Sequence, residues 1–321
     1  MAIFFEHPTE DRKKSLIKRF NIREVKAFGY SRDGLPLLDG QPAIIESYDQ
    51  NGELVESYVC MEGMPELRIT LSINEAGFPI KIYCYDGEEF HTYNSSNKLL
   101  ERKTYSENGR IKEWVRYEYE NPSAGVEVCR EYCRKNKYRG KTVSKSNEKR
   151  NLLFKVFYDA VDEPVGKSSY HYDEANRLIR STEWGVILRH ARTSSSARYF
   201  GLLYSEYHYE YDEKGNLVKK LYFGIDEAIN WLNTEFYRYD LSNRKIEEFG
   251  FDENGKVTWK MTFDYDLKDN LVSRVFTHAD GTTGHSNTFQ YDDKGLEKEL
   301  LIEDSLENIK SKYLYFYEFY Q

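Results

Sequence analysis

The chain has 321 residues, with 46 Lys and Arg against 54 Asp and Glu, for a net charge of -8. That balance argues against non-specific nucleic-acid binding by the molecule as a whole. Charged residues are 31% and mean hydropathy is -0.76, no apolar run reaches membrane-spanning length, and 28 Tyr and 18 Phe are too many for a disordered acidic chain.

The N-terminus starts Met-Ala-Ile-Phe-Phe-Glu-His-Pro. It lacks a basic n-region and a long apolar h-region, so no signal peptide is expected and the cytoplasm is the expected location. Four cysteines, Cys60, Cys84, Cys129 and Cys133, are too few for a disulfide framework and read as reduced thiols. Pro8-Thr9-Glu10-Asp11 opens a predicted helix to about Phe20. Thr9 is its N-cap, acids fill its first turn and basic residues follow. Leu16, Ile17 and Phe20 form its apolar stripe, and its expected role is a cap over the first edge strand.

A phrase then repeats. Tyr48-Asp49-Gln-Asn-Gly52 is followed by Leu54 and Val55, and Ile73-Asn74-Glu-Ala-Gly77 by Pro79 and Ile80. Tyr93-Asn94-Ser-Ser-Asn97 and Tyr105-Ser106-Glu-Asn-Gly109 come next. Each reads as strand, tight turn, strand. The acid or amide bonds the backbone two residues on, and the fourth turn residue accepts positive φ. From about Asn121 to Asn151 the phrase disappears. Residues 130–150 hold nine Lys or Arg against two Glu. This basic insertion reads either as a solvated arm or as a contact surface for an acidic partner, built from Arg130, Tyr132, Arg134, Lys135, Lys137, Tyr138 and Arg139. The phrase resumes at Tyr158-Asp159 and Tyr172-Asp173. A polar stretch around Arg189, Arg192 and Arg198 reads as a second basic loop.

From Glu206 to Glu318 the repeats are cleanest. The tyrosines before the turns, Tyr211, Tyr239, Tyr265 and Tyr291, are spaced by 28, 26 and 26 residues, which signals a repeat architecture. Two strands and two turns fill each unit. The aromatic Tyr313–Tyr320 stretch reads as the closing strand. The expected organisation is residues 1–44 as helix and cap, 45–120 as a first repeat block, 121–155 as the basic insertion, and 156–321 as a second repeat block.

Tyr209-Glu-Tyr-Asp-Glu-Lys-Gly-Asn-Leu-Val218, Tyr170-His-Tyr-Asp-Glu-Ala-Asn-Arg-Leu-Ile179 and Phe289-Gln-Tyr-Asp-Asp-Lys-Gly-Leu296 resemble the YD repeat of bacterial RHS proteins. The likeness spans roughly residues 45–120 and 155–310. In large RHS proteins such repeats build a spiralling β-sheet shell around a toxin. Short repeat proteins of this style also occur in toxin–immunity loci, where they bind and block a toxin. The resemblance thus implies hairpin repeats and, by style, an immunity-type role.

Searches for catalytic motifs find no dinucleotide fingerprint, phosphate loop, zinc-protease helix or nucleophile elbow. His171 and His208 read as strand-surface residues. His278, Asp280 and His285 are the nearest approach to a cluster, and they lack a fourth ligand. Turn formation accounts for the repeated Asp49, Asp173, Asp212, Asp240, Asp266 and Asp292 without calcium. Alternating tyrosines suit either cross-strand ladders or an open stacking surface for carbohydrate or peptide.

The expectation is therefore an all-β protein. It is a repetitive antiparallel meander of about twenty hairpin-linked strands forming a twisted, curved sheet or open solenoid, with an N-terminal capping helix. It is expected to be non-enzymatic, without cofactor or metal, and to bind a protein partner with an acidic surface by steric occlusion, away from membranes. The alternatives are an encapsulating RHS-like shell fragment and a carbohydrate-binding repeat protein.

Overall fold

The computed structural model describes residues 10–31, 33–59, 67–74, 78–84, 87–185, 203–226, 229–305 and 309–320. One helix, α1 (Glu10–Phe20), precedes β1 (Ile22–Tyr30), β2 (Ile44–Tyr48), β3 (Leu54–Val59), β4 (Leu67–Ile73), β5 (Pro79–Cys84), β6 (Gly87–Tyr93) and β7 (Leu99–Ser106). Next come β8 (Ile111–Ser123), β9 (Val126–Cys133), β10 (Lys137–Ser146), β11 (Leu152–Tyr158), β12 (Pro164–Tyr172), β13 (Leu178–Gly185) and β14 (Leu203–Tyr211). The chain continues through β15 (Leu217–Asp226), β16 (Ile229–Tyr239), β17 (Lys245–Phe251) and β18 (Val257–Tyr265). It finishes with β19 (Leu271–His278), β20 (Thr283–Tyr291), β21 (Glu297–Asp304) and β22 (Ile309–Phe319). All the described pairings are antiparallel, so the expected all-β meander with its N-terminal helix is what the chain forms.

The turn chemistry is the predicted one. At Asp212 the backbone N–H donates to the Asn216 carbonyl at 2.9 Å, and the Gly215 N–H returns to the Asp212 carbonyl at 3.0 Å. The Asp212 carboxylate accepts from the Asn216 N–H at 2.8 Å. Asp49, Asp159, Asp173, Asp240, Asp252, Asp266 and Asp292 repeat this pattern. The fourth turn residue lies at positive φ each time, as with Gly215 at 89° and Asn243 at 67°. A ladder shift follows at the next pair, for example between Glu210 and Tyr211. That shift leaves Val218 unpaired, a β-bulge just past the turn, which tightens the local twist.

Six tyrosines at strand ends solve a different problem. Strands β15 and β16 are joined at the far edge of the sheet, so their other ends have no turn to hold them together. There the Tyr239 hydroxyl, at the end of β16, donates to the Leu217 carbonyl at the start of β15, at 2.9 Å. Tyr93, Tyr172, Tyr211, Tyr291 and Tyr317 bond in the same way to Pro79, Leu152, Leu178, Leu271 and Glu297. Neighbouring turns on this edge are also stitched by reciprocal amide bonds, Asn216 with Asn243 and Asn151 with Asn176.

Two compact units divide the chain: residues 1–112 with 261–321, and residues 113–260. In the first, β19, β20, β21, β22, β1, β2, β3, β4, β5, β6 and β7 pair in that order. The strand that closes the sequence therefore lies beside the strand that begins it, with Val25 opposite Tyr317. Ile17 of α1, buried at 2% exposure, packs with Ile22, Val25, Tyr48 and Leu296, and Leu16, Phe20, Leu54, Tyr315 and Tyr317 lie around them. The predicted apolar stripe is the one used. The helix, however, covers the face of β1 and not a free edge, because β2 and β22 flank β1 on both sides. In the second unit β8 to β17 pair consecutively. The basic segment around 130–150 is part of this ladder, as two hairpins.

Candidate functional site

In the second unit the basic hairpin is β9 and β10, joined by one turn at Arg134–Asn136. Lys135 and Asn136 both sit in the left-handed region, at φ 64° and 56°, a conformation that costs a non-glycine residue about 1 kcal/mol. The register places Tyr132 opposite Tyr138 and Arg130 opposite Lys141.

That register decides which cations are available. Arg130 pairs with Glu120 at 2.6 Å. Arg139 pairs with Glu113 at 2.8 Å and Glu131 at 3.1 Å, and the Glu113 hydrogen bond raises its affinity for a proton. The rings of Tyr132 and Tyr138 lie 5.7 Å apart, with the Arg116 guanidinium 5.0 Å from the Tyr132 centroid. The Tyr138 hydroxyl donates to Asp162 at 2.7 Å, and Lys141 reaches the same carboxylate at 3.1 Å. Burial, together with the bond to Asp162, pushes the Tyr138 hydroxyl up to about 12. Asp162 in turn is held below the usual carboxylate range by the Tyr138 bond and by Lys141.

Arg130, Tyr132, Tyr138 and Arg139 are thus occupied within the sheet. Arg134, Lys135 and Lys137 are exposed at the tip and carry no ion pair among the described residues. The Arg189, Arg192 and Arg198 segment lies outside the described residues. The strands on either side of it, β13 and β14, meet on the same sheet edge as the β9–β10 tip, because each hairpin returns the chain to the opposite edge.

A second feature escaped the sequence reading. Phe236 and Phe249 stack at 5.8 Å, and Phe251 meets them edge-on at 5.3 and 5.5 Å. They line a shallow cavity of about 370 Å³ with Lys219 and Arg238. Arg238 lies 5.0 Å over the Phe249 ring and Lys219 is 5.9 Å from Phe236, while Glu247 and Glu210 pair with the two cations. The signal was present in Phe249 and Phe251, which share one face of β17, Phe251 standing where tyrosine precedes other turns. The opposite face is self-packed. Tyr207 and Tyr222 lie 4.8 Å apart, and Tyr222 covers Gly224, where a Cβ would come within 2.6 Å of its hydroxyl. Of the two readings of the tyrosines, the hydroxyl bonds and these ring contacts favour ladders.

Neither Cys129 nor Cys133 is in a disulfide. His171 is exposed on its strand, and His208 hydrogen-bonds its strand neighbour Glu206. Among the described residues no group of three or more His, Cys, Asp or Glu side chains could hold a metal ion. No helix among them is long and apolar enough to cross a membrane.

No protein-family model matches the chain, and no curated protein matches it. Solved structures do. A TcdB2–TccC3 crystal structure is matched over 87% of this chain and 16% of that one, at 12% identity and TM-score 0.38. The Tc holotoxin pore of Photorhabdus luminescens is matched over 88% of this chain and 17% of that one, at 14% identity and TM-score 0.33. A porin-like protein from Bacteroides uniformis is matched over 92% of this chain and 98% of that one, at 9% identity and TM-score 0.28. The chain spans only about a sixth of the toxin chains. Likeness at this level assigns no activity.

Proposed function

We propose that this chain is a non-enzymatic binding protein that occludes the surface of an acidic protein partner, most concretely a cognate toxin, in the manner of an immunity protein. The observation that carries the reading is the β9–β10 tip. Arg130, Arg139 and Lys141 are paired within the sheet, whereas Arg134, Lys135 and Lys137 cluster, exposed, at one turn with no ion pair among the described residues. Exposed, unneutralised charge on a rigid hairpin steers an oppositely charged partner and fixes its register. The Tyr132–Tyr138 ring contact and the Tyr138–Asp162 bond hold the hairpin beside the tip, which lowers the ordering entropy lost on binding. The toxin as partner rests on the YD-repeat resemblance alone.

The test is capture from native lysate, followed by affinity measurement on the triple charge reversal Arg134→Glu, Lys135→Glu and Lys137→Glu. These side chains are exposed, so the thermal midpoint should stay within about 2 °C while affinity falls at least tenfold. Unchanged affinity removes the tip from the interface. A chain that captures no acidic protein and runs as a large assembly would instead favour the shell-fragment reading.

A further inference from the structure

Along the latched edge, the fifth position after the acid or amide that opens a turn is leucine at six turns: Leu54, Leu99, Leu152, Leu178, Leu217 and Leu271. After Asp292 that position is Glu297. Its backbone carbonyl still accepts the Tyr317 hydroxyl at 2.6 Å, so the architecture is kept and only the side chain differs. The next residue back, Leu296, is 4% exposed in the cluster under α1. At the two remaining turns of this series the position is Pro79 and Lys245, so a carboxyl group stands at a mostly leucine position, next to the residue on which the helix packs.

Its surroundings are titratable from several elements. α1 presents Lys13, whose ammonium is already held by Glu46 at 2.6 Å. β2 supplies Glu46 and Tyr48, with the Tyr48 hydroxyl donating to Glu46 at 2.8 Å. β22 supplies Tyr315, which bonds the Glu297 carboxyl, and Tyr317. β20 places Tyr291 opposite Glu297, and Asp292 stands in the adjoining turn. β1 adds the apolar Ile22 and Val25. Elsewhere the helix is tied down by Lys14 and Lys18 to Glu53.

We propose that Glu297 makes the docking of α1 a proton-controlled latch: with its carboxyl protonated the helix packs closely on β21, β22, β1 and β2, and ionisation loosens it. Ionised Glu297 would place a second negative charge beside Glu46 at a half-buried position, with Lys13 already engaged. Burial lifts the Glu297 carboxyl from an ordinary value of 4.5 to about 7; Lys13 and the Tyr315 bond oppose the rise, and Glu46 adds to it. The packed state therefore binds the proton more tightly than the released state. Docking is fully favoured below about pH 4.5, weakens as pH rises, and levels off above about pH 8. Between pH 6 and pH 8 the docking equilibrium falls roughly tenfold.

Hydrogen exchange on the full chain tests this, independently of what the basic tip binds. Protection factors for the α1 amides, corrected for intrinsic exchange, should drop about tenfold from pH 6 to pH 8, while amides of β9 and β10 keep theirs. Glu297→Gln should hold α1 protection constant across that range, and Glu297→Leu, which restores the repeat residue, should do the same at higher protection. Either outcome with the wild-type drop supports the latch. A flat wild-type profile overturns it. So does an equal drop in Glu297→Gln, which would assign the effect to other groups.

Discussion

A tyrosine hydroxyl that reaches across to a neighbouring strand does two things at once. It satisfies a polar group that its half-buried ring has drawn away from water, and it closes a strand pair where no turn does so. Tyr239→Phe tests the second effect. The ring stays and the bond to the Leu217 carbonyl is lost. The expected cost is about 1 kcal/mol in urea unfolding. Tyr222→Phe, whose ring contact with Tyr207 is retained, should cost less than half as much. Equal costs would mean that the hydroxyl bond contributes little. At this scale the Asp-opened turns were legible, because turn chemistry is local: an acid whose carboxylate accepts from the backbone N–H groups two and four residues on, and a residue tolerant of positive φ. The partner of each hydroxyl was not legible. It lies 14 to 33 residues away in sequence, and only the strand register brings it close.

The helix is the element whose behaviour depends most on what it covers. Its predicted stripe of Leu16, Ile17 and Phe20 follows from spacing alone, and that stripe packs on the sheet, with Ile17 buried and Leu16 and Phe20 partly buried. What lies beneath it, the meeting of β1 with β22, has no local signature. Ile17→Ala removes apolar volume from a side chain 2% exposed and should cost about 2–4 kcal/mol. The loss should be read as reduced α1 protection before any change in the strand signals of the second unit. Simultaneous loss of both would show that the helix is part of one cooperative transition. The basic segment shows the converse. Between Asn121 and Asn151 the repeat phrase fails, yet strands continue through it. The first two turns there use other chemistry, Gly125 at φ 72° and the Lys135–Asn136 pair, while the third, opened by Asn147 with Arg150 at φ 66°, already has the repeat's bonds although its residues hid it from the sequence reading.

For the molecule as a whole, charge is segregated along the chain. Residues 130–198 contain sixteen Lys and Arg against eight Asp and Glu, a net of +8 within a chain of -8. If binding runs through this segment, raising NaCl from about 50 to 500 mM, which shortens the screening length from above 10 Å to below 5 Å, should slow association about tenfold or more. Dissociation should change much less. Salt-independent association would point to the aromatic cavity at Phe236, Phe249 and Phe251 as the contact surface.

The sequence by itself determined the turns, their periodicity, the helix and its apolar stripe, and hence an all-β meander, because each rests on interactions spanning a few residues. Tertiary structure alone decided that the last strand lies against the first, that Glu113, Glu120, Glu131 and Asp162 pair with Arg130, Arg139 and Lys141 of the basic hairpin, and that Glu297 stands next to Leu296 of the cluster under α1. These outcomes depend on strand register, which is set by packing between residues far apart in the chain, and no local pattern encodes which charge will stand opposite which.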